Sequence, residues 1–171
     1  MPLSPRQRRF LIRENGWVSG LIAVAVNGVL LAVGPLRGGP AVGDRDVFGD
    51  LYGTAFLLPF ITTLIATPLV RRAVRAGVAE GAPLPTWPRL VGLSTFGRAV
   101  WFGVVGWILV GAPVAAADSV TGRFELPVKW FVVGKLWFVF VYASLATPPI
   151  ARVAMADETP ASRGRQSPES S

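Results

Sequence analysis

The sequence predicts an all-α, polytopic membrane protein with four transmembrane helices arranged as two similar helical hairpins. Three observations lead to it. The apolar residues gather into four blocks of about 17–21 residues, enough to span a hydrocarbon core of about 30 Å at about 1.5 Å per residue. Charged residues make up 16% of the chain, against about 25% in soluble domains, and most of them flank the blocks. The stretch Leu64–Arg72 (L-I-A-T-P-L-V-R-R) returns as Ser144–Arg152 (S-L-A-T-P-P-I-A-R). Each copy closes an apolar block with Ala-Thr-Pro and then meets arginine.

Residues 1–15 form a basic, partly amphipathic lead-in with Arg6, Arg8, Arg9 and Arg13 around Phe10, Leu11 and Ile12. The first apolar block is Trp17–Val33. It is longer than the apolar core of a signal peptide, about 7–15 residues, so a retained helix is expected. Gly34–Asp50 reads as a turn-rich loop, and the second block runs from about Tyr52 to Val70, with Arg71, Arg72 and Arg75 directly after it. The first transmembrane hairpin is therefore residues 16–75. A linker over 76–97 carries Pro83, Pro85 and Pro88 around Trp87 and should be extended. The second hairpin, residues 98–156, holds blocks at about Ala99–Ala117 and Trp130–Ile150, joined by a loop with Asp118, Arg123, Glu125 and Pro127. Residues 157–171 are rich in Ser, Pro, Glu and Arg, a composition that favours a disordered tail.

Orientation follows from arginine and lysine. With both termini and the linker inside, twelve of the seventeen basic residues are cytoplasmic and five (Arg37, Arg45, Arg123, Lys129, Lys135) are not. N-in, C-in topology is expected.

The two Ala-Thr-Pro copies lie at an offset of 80 residues, and Val26–Pro35 aligns with Val104–Pro113 at an offset of 78. Both halves would start inside, giving a parallel repeat about an axis along the membrane normal. The pattern of a mid-helix Asn27-Gly28, a turn, and a second helix ending in Pro68, Arg71 and Arg72 resembles a family of small bacterial two-helix membrane modules of unknown function. The likeness covers residues 10–75. The second half departs from it, with Val105 in place of the asparagine and Ala151 in place of the first arginine. The resemblance implies a fold and a bacterial inner membrane, without a chemistry.

Several functions are excluded by composition. There is no cysteine and no histidine, which removes disulfides, thiolate or imidazole metal sites and Cys–His or Ser–His nucleophiles. No catalytic residue, metal site or cofactor is expected. The net charge of +7 belongs to helix flanks and forms no basic face with interleaved aromatics, so nucleic acid is not an expected partner.

The candidate residues are therefore polar groups inside apolar blocks. Asn27 lies near the middle of the first block, where its amide needs a partner; a hydrogen bond to another helix would be worth about 0.6–2 kcal/mol. Lys135 is the ionisable residue clearly inside a block. Its stem can snorkel to the interface; the alternative is burial paired with Asp50 or Asp118. Thr67-Pro68 and Thr147-Pro148 are candidate helix bends, where the hydroxyl can return to a carbonyl one turn earlier. Arg71, Arg72 and Arg152 are candidate cytoplasmic anchors. Gly16 and Gly20 form a GxxxG, and Gly103, Gly106 and Gly111 a second small-residue face, suited to close helix approach within the bundle or in a dimer. The expected function is non-catalytic: an accessory or assembly subunit acting by helix–helix association in the lipid bilayer, with another membrane protein or a second copy of itself as partner. The alternative is a small transporter working as a homo-oligomer.

Overall fold

The computed structural model describes residues 3–33, 41–83, 90–91 and 93–158. Trp87, Pro85, Pro88, residues 34–40 of the expected loop and the expected tail from residue 159 lie outside the described residues.

Among the described residues, four helices are long and apolar enough to cross a membrane. The first, α1, runs without a break through an α turn at Pro5–Arg9, a π-wound stretch at Phe10–Trp17 and an α segment at Val18–Val33. Its start is fixed by a capping box: the Ser4 hydroxyl accepts from the Gln7 N–H and the Gln7 side chain accepts from the Ser4 N–H, so two N–H groups without helical partners are satisfied together. Within the π stretch the Asn15 amide donates to the Phe10 carbonyl. The basic lead-in is thus the first part of a membrane helix. The second helix, α2, spans Asp44–Arg75. It begins well before Tyr52, so Asp44, Asp46 and Asp50 are helical rather than loop. Asp44 and Asp46 lie in its first turn, where the helix dipole favours negative charge. The third, α3, covers Thr95–Gly106, a π turn at Trp107–Gly111, and Ala112–Val120, with the Ser94 hydroxyl capping Gly97 N–H. The fourth, α4, spans Val128–Asp157 and passes through Pro148 and Pro149. Asp157, expected to open the tail, is its last residue.

One short strand precedes the second helix of each half. β1 (Ala41–Gly43) and β2 (Glu125–Pro127) pair antiparallel, with Val42 opposite Leu126. Val42 is buried on Leu31 and Phe131, and this strand end of the bundle is closed by apolar packing. The opposite, arginine end carries the N-terminus of α1, the C-termini of α2 and α4, and the start of the 76–97 linker. That linker folds back: Gln7 donates to the Gly81 carbonyl at 2.5 Å and Ser4 to Glu80 at 2.7 Å.

The two helices of each hairpin are not each other's principal packing neighbours. α1 packs chiefly on α4, α4 on α2, and α2 on α3. The two hairpins therefore interleave, with α2 and α4 as the central pair. Glycines set both outer contacts. A Cβ on Gly20 would collide with the Ser144 hydroxyl and stand 2.9 Å from the Phe140 ring. A Cβ on Gly106 would collide with the Tyr142 hydroxyl and lie 2.7 Å from Pro59 and 2.8 Å from the Ala55 carbonyl. The small-residue faces at Gly16/Gly20 and Gly103/Gly106 are consumed inside the chain. Gly28, by contrast, faces open space. What remains on the outside is aliphatic and aromatic: Leu57, Ile61, Ile65 and Leu69 on α2, and Leu21, Ile22, Val29 and Leu30 on α1, are all exposed, as a hydrocarbon solvent allows.

Candidate functional site: two charge clamps on one helix pair

The α2–α4 seam is built from a four-residue rhythm on each helix. Ala55, Pro59, Thr63 and Thr67 on α2, and Phe131, Lys135, Val139, Ala143 and Thr147 on α4, are all buried. Residues four apart share one helix face, so each seam is one continuous stripe. An ion pair closes it at either end.

At the strand end, the Lys135 ammonium meets Asp50 at 2.5 Å and also donates to the Thr54 hydroxyl. That hydroxyl in turn donates to the Asp50 carbonyl at 2.8 Å. The Lys135 side chain is 2% exposed and that of Asp50 35%. Lys135 therefore does not snorkel; it is buried and paired, and the start of α2 at Asp44 is what brings Asp50 to it. Asp118 is exposed at the end of α3.

The arginine end is different in kind. Arg98 of α3 is fully buried and grips Asp157 with both terminal nitrogens, at 2.7 and 3.1 Å. It also donates to the Leu93 carbonyl at 3.2 Å. Arg71 of α2 reaches the same carboxylate through Nε and Nη2, at 3.0 and 2.7 Å. One carboxylate thus ties three helices together. Arg75 adds a pair to Glu158 at 2.7 Å. Such forked arginine–carboxylate contacts fix geometry as well as charge. From Asp50 to Arg71, and from Lys135 to Asp157, the helical rise is about 30 Å. That equals the thickness of a hydrocarbon core, so each clamp falls at one boundary of a membrane spanned by this seam.

Between the clamps lie hydroxyls and prolines. Pro59 has no N–H, so the Ala55 carbonyl one turn earlier loses its helical partner. Tyr142 supplies the missing donor from α4, at 2.8 Å. Thr63 donates to the Pro59 carbonyl and Thr147 to the Ala143 carbonyl, both at 2.7 Å. Pro148 frees the Ser144 carbonyl in the same way; Gly16 backs onto it, with its Cβ position 3.1 Å away. The Thr67 hydroxyl and the Ser144 hydroxyl are buried without a hydrogen-bond partner among the described residues.

The remaining candidates are scattered. Asn27 is half-buried on α1 and donates to the Ala23 carbonyl of its own helix at 2.8 Å, so this bond does not link helices. Pro68 is exposed while Thr67 beside it is buried; helical structure continues through Pro59, Pro68, Pro148 and Pro149. Arg72 is exposed, and Arg152 is half-buried, its Nε without a hydrogen-bond partner among the described residues. Of the three expected anchors, Arg71 belongs to the arginine clamp. Sequence reasoning did not single out Arg98, Asp157, Tyr142 or Thr54 as site residues. Among the described residues no group of three or more Asp or Glu side chains comes together that could hold a metal ion. Comparison with protein-family models, with curated proteins and with solved structures returned no match.

Proposed function

We propose that this is a non-catalytic bacterial inner-membrane protein that works by helix association, as an accessory or assembly subunit. The observation that carries the reading is the seam: it is clamped by charge at both ends and packed with small and aliphatic side chains between them. A seam held this way favours a stable scaffold over a solute path. The exposed apolar faces of α1 and α2 are then the surfaces available to a second membrane protein or a second copy. The test is purification of the full chain in gentle detergent and mass determination of the intact complex. A reproducible foreign subunit is expected; self-association alone, with solute flux after reconstitution into vesicles, overturns the proposal.

A small transporter is the second reading. It is favoured by the buried hydroxyls of Thr67 and Ser144 on the central helices, which have no hydrogen-bond partner among the described residues.

N-in, C-in topology belongs to the same proposal, supported by the arginines gathered at the end that carries both termini. A periplasmic reporter fused after Pro40 should be active and one fused after Arg75 silent; the reverse refutes the orientation. A parallel repeat is also proposed. Its support is the buried threonine before proline in both central helices, a strand directly before each of them, and the exchanged packing of α1 on α4 and α3 on α2. The resemblance of residues 10–75 to the two-helix modules agrees with a duplicated hairpin.

A further inference from the structure

Outside the clamps, a strongly charged surface lies on the outer side of α1 at the arginine end. Leu3, Pro5, Arg8, Arg9, Ile12 and Arg13 line an open groove of about 440 Å³ there. Arg8, Arg9 and Arg13 are exposed, and among the described residues none of their side chains makes a hydrogen bond or an ion pair. The nearby carboxylates are otherwise placed: Glu80 accepts from Ser4 and lies 4.0 Å from Arg6, and Glu14 is exposed beside Arg13. The inner side of the same turns, with Gln7 and Leu11, is buried against the linker and the core.

We infer that this groove binds one anionic glycerophospholipid, its phosphate held by Arg8, Arg9 and Arg13 and an acyl chain laid along α1. Three features of the surface match that ligand. Guanidinium forks bind phosphate oxygens in pairs. The groove combines them with an apolar floor from Leu3, Pro5 and Ile12. Farther along the exposed side of α1 come Trp17, Leu21 and Ile22, which are 58%, 61% and 57% exposed. Cation, interfacial indole and aliphatic surface follow in the order in which a lipid presents head group, glycerol region and chain. A free inorganic anion would use the arginines alone and leave the apolar run unexplained.

The test uses the full chain in neutral detergent, with phosphatidylglycerol or phosphatidylcholine added and retained lipid read by native mass spectrometry. Phosphatidylglycerol should be kept at least about tenfold better than phosphatidylcholine. R9Q/R13Q should lower its retention by about thirtyfold, as the loss of two surface cations at about 1 kcal/mol each implies. R123Q/K129Q, at the strand end, should leave it unchanged. Equal retention of the two lipids overturns the inference, as does an unchanged R9Q/R13Q. Displacement of the lipid by millimolar inorganic phosphate would reduce the groove to a bare anion site and also overturns it. A second measurement needs no arginine variant. Brominated phosphatidylglycerol should quench the wild-type chain more than its W17F variant, and brominated phosphatidylcholine should not distinguish the two. The same difference with both lipids refutes specific seating beside Trp17.

Discussion

The two clamps hold the same helix pair by different means. At the strand end one ammonium meets one carboxylate, and Asp50 keeps about a third of its side chain exposed. At the arginine end two guanidiniums share one carboxylate that is 7% exposed, and Arg98 has no exposure at all. The helix dipoles contribute to the difference, most directly at Asp157. Asp50 lies in the second turn of α2, near the end where negative charge is favoured. Asp157 is the last residue of α4, where the dipole opposes it. A carboxylate so placed needs more cation to hold it, and Arg71 and Arg98 supply that. The Asp50 carboxylate is therefore open to hydration, whereas Asp157 and Arg98 are both enclosed.

The largest effect should come from Asp157→Ala. It leaves Arg98 buried and uncompensated, and breaking a buried pair in this way costs about 3–5 kcal/mol. Equilibrium unfolding in mixed micelles should show that loss, and Asp157→Asn should recover little of it. A loss below about 1 kcal/mol would mean that Arg98 finds water, and the contrast between the two ends would fail.

Lys135→Met probes the other end and should cost less, about 1.5–3 kcal/mol, the range for a hydrogen bond to a charged group. Asp50 is exposed enough to be hydrated once its partner is gone. Adding Asp50→Asn should restore part of the stability, with a coupling of about 1 kcal/mol or more between the two sites. If Lys135→Met proves as damaging as Asp157→Ala, the strand end is as dry as the arginine end and the asymmetry is wrong.

The sequence made half of this legible. The four spans follow from block length and composition, because a bilayer demands long apolar runs that few other environments tolerate. Lys135 was conspicuous as a charge inside such a run. Its partner was named among two, but D-R-D-V-F-G-D around Asp50 carries glycine and acid in the pattern of a turn. Only the strand pairing at Val42 and the dipole preference of Asp44 and Asp46 make it the start of a helix. Arg98 and Asp157 are far apart in the chain, and each had a sufficient local explanation, one as a topology charge and the other as the first residue of a tail. GxxxG at Gly16 announces a close approach but carries no information about which helix approaches. The interleaving of the hairpins is for that reason a property of the whole bundle and of no single segment. The π winding of Phe10–Trp17 likewise has no signature in those residues, although the bond from Asn15 to the Phe10 carbonyl is made there.

The smallest effect is also the sharpest, because it tests packing between the clamps. Tyr142 donates to the carbonyl that Pro59 leaves unpaired, so the tyrosine and the proline form one unit across the seam. Tyr142→Phe should cost about 1 kcal/mol, as a lost interhelical hydrogen bond in a membrane does. The informative experiment repeats it in a Pro59→Ala background. Alanine returns an N–H to the Ala55 carbonyl, so the helix then satisfies its own acceptor and the hydroxyl is no longer needed. The cost of Tyr142→Phe should fall toward zero there, measured by the same unfolding cycle. An undiminished cost would show that the hydroxyl acts through its contact with Gly106 on α3 instead. The seam would then be held between its clamps by shape and not by repair of the proline break.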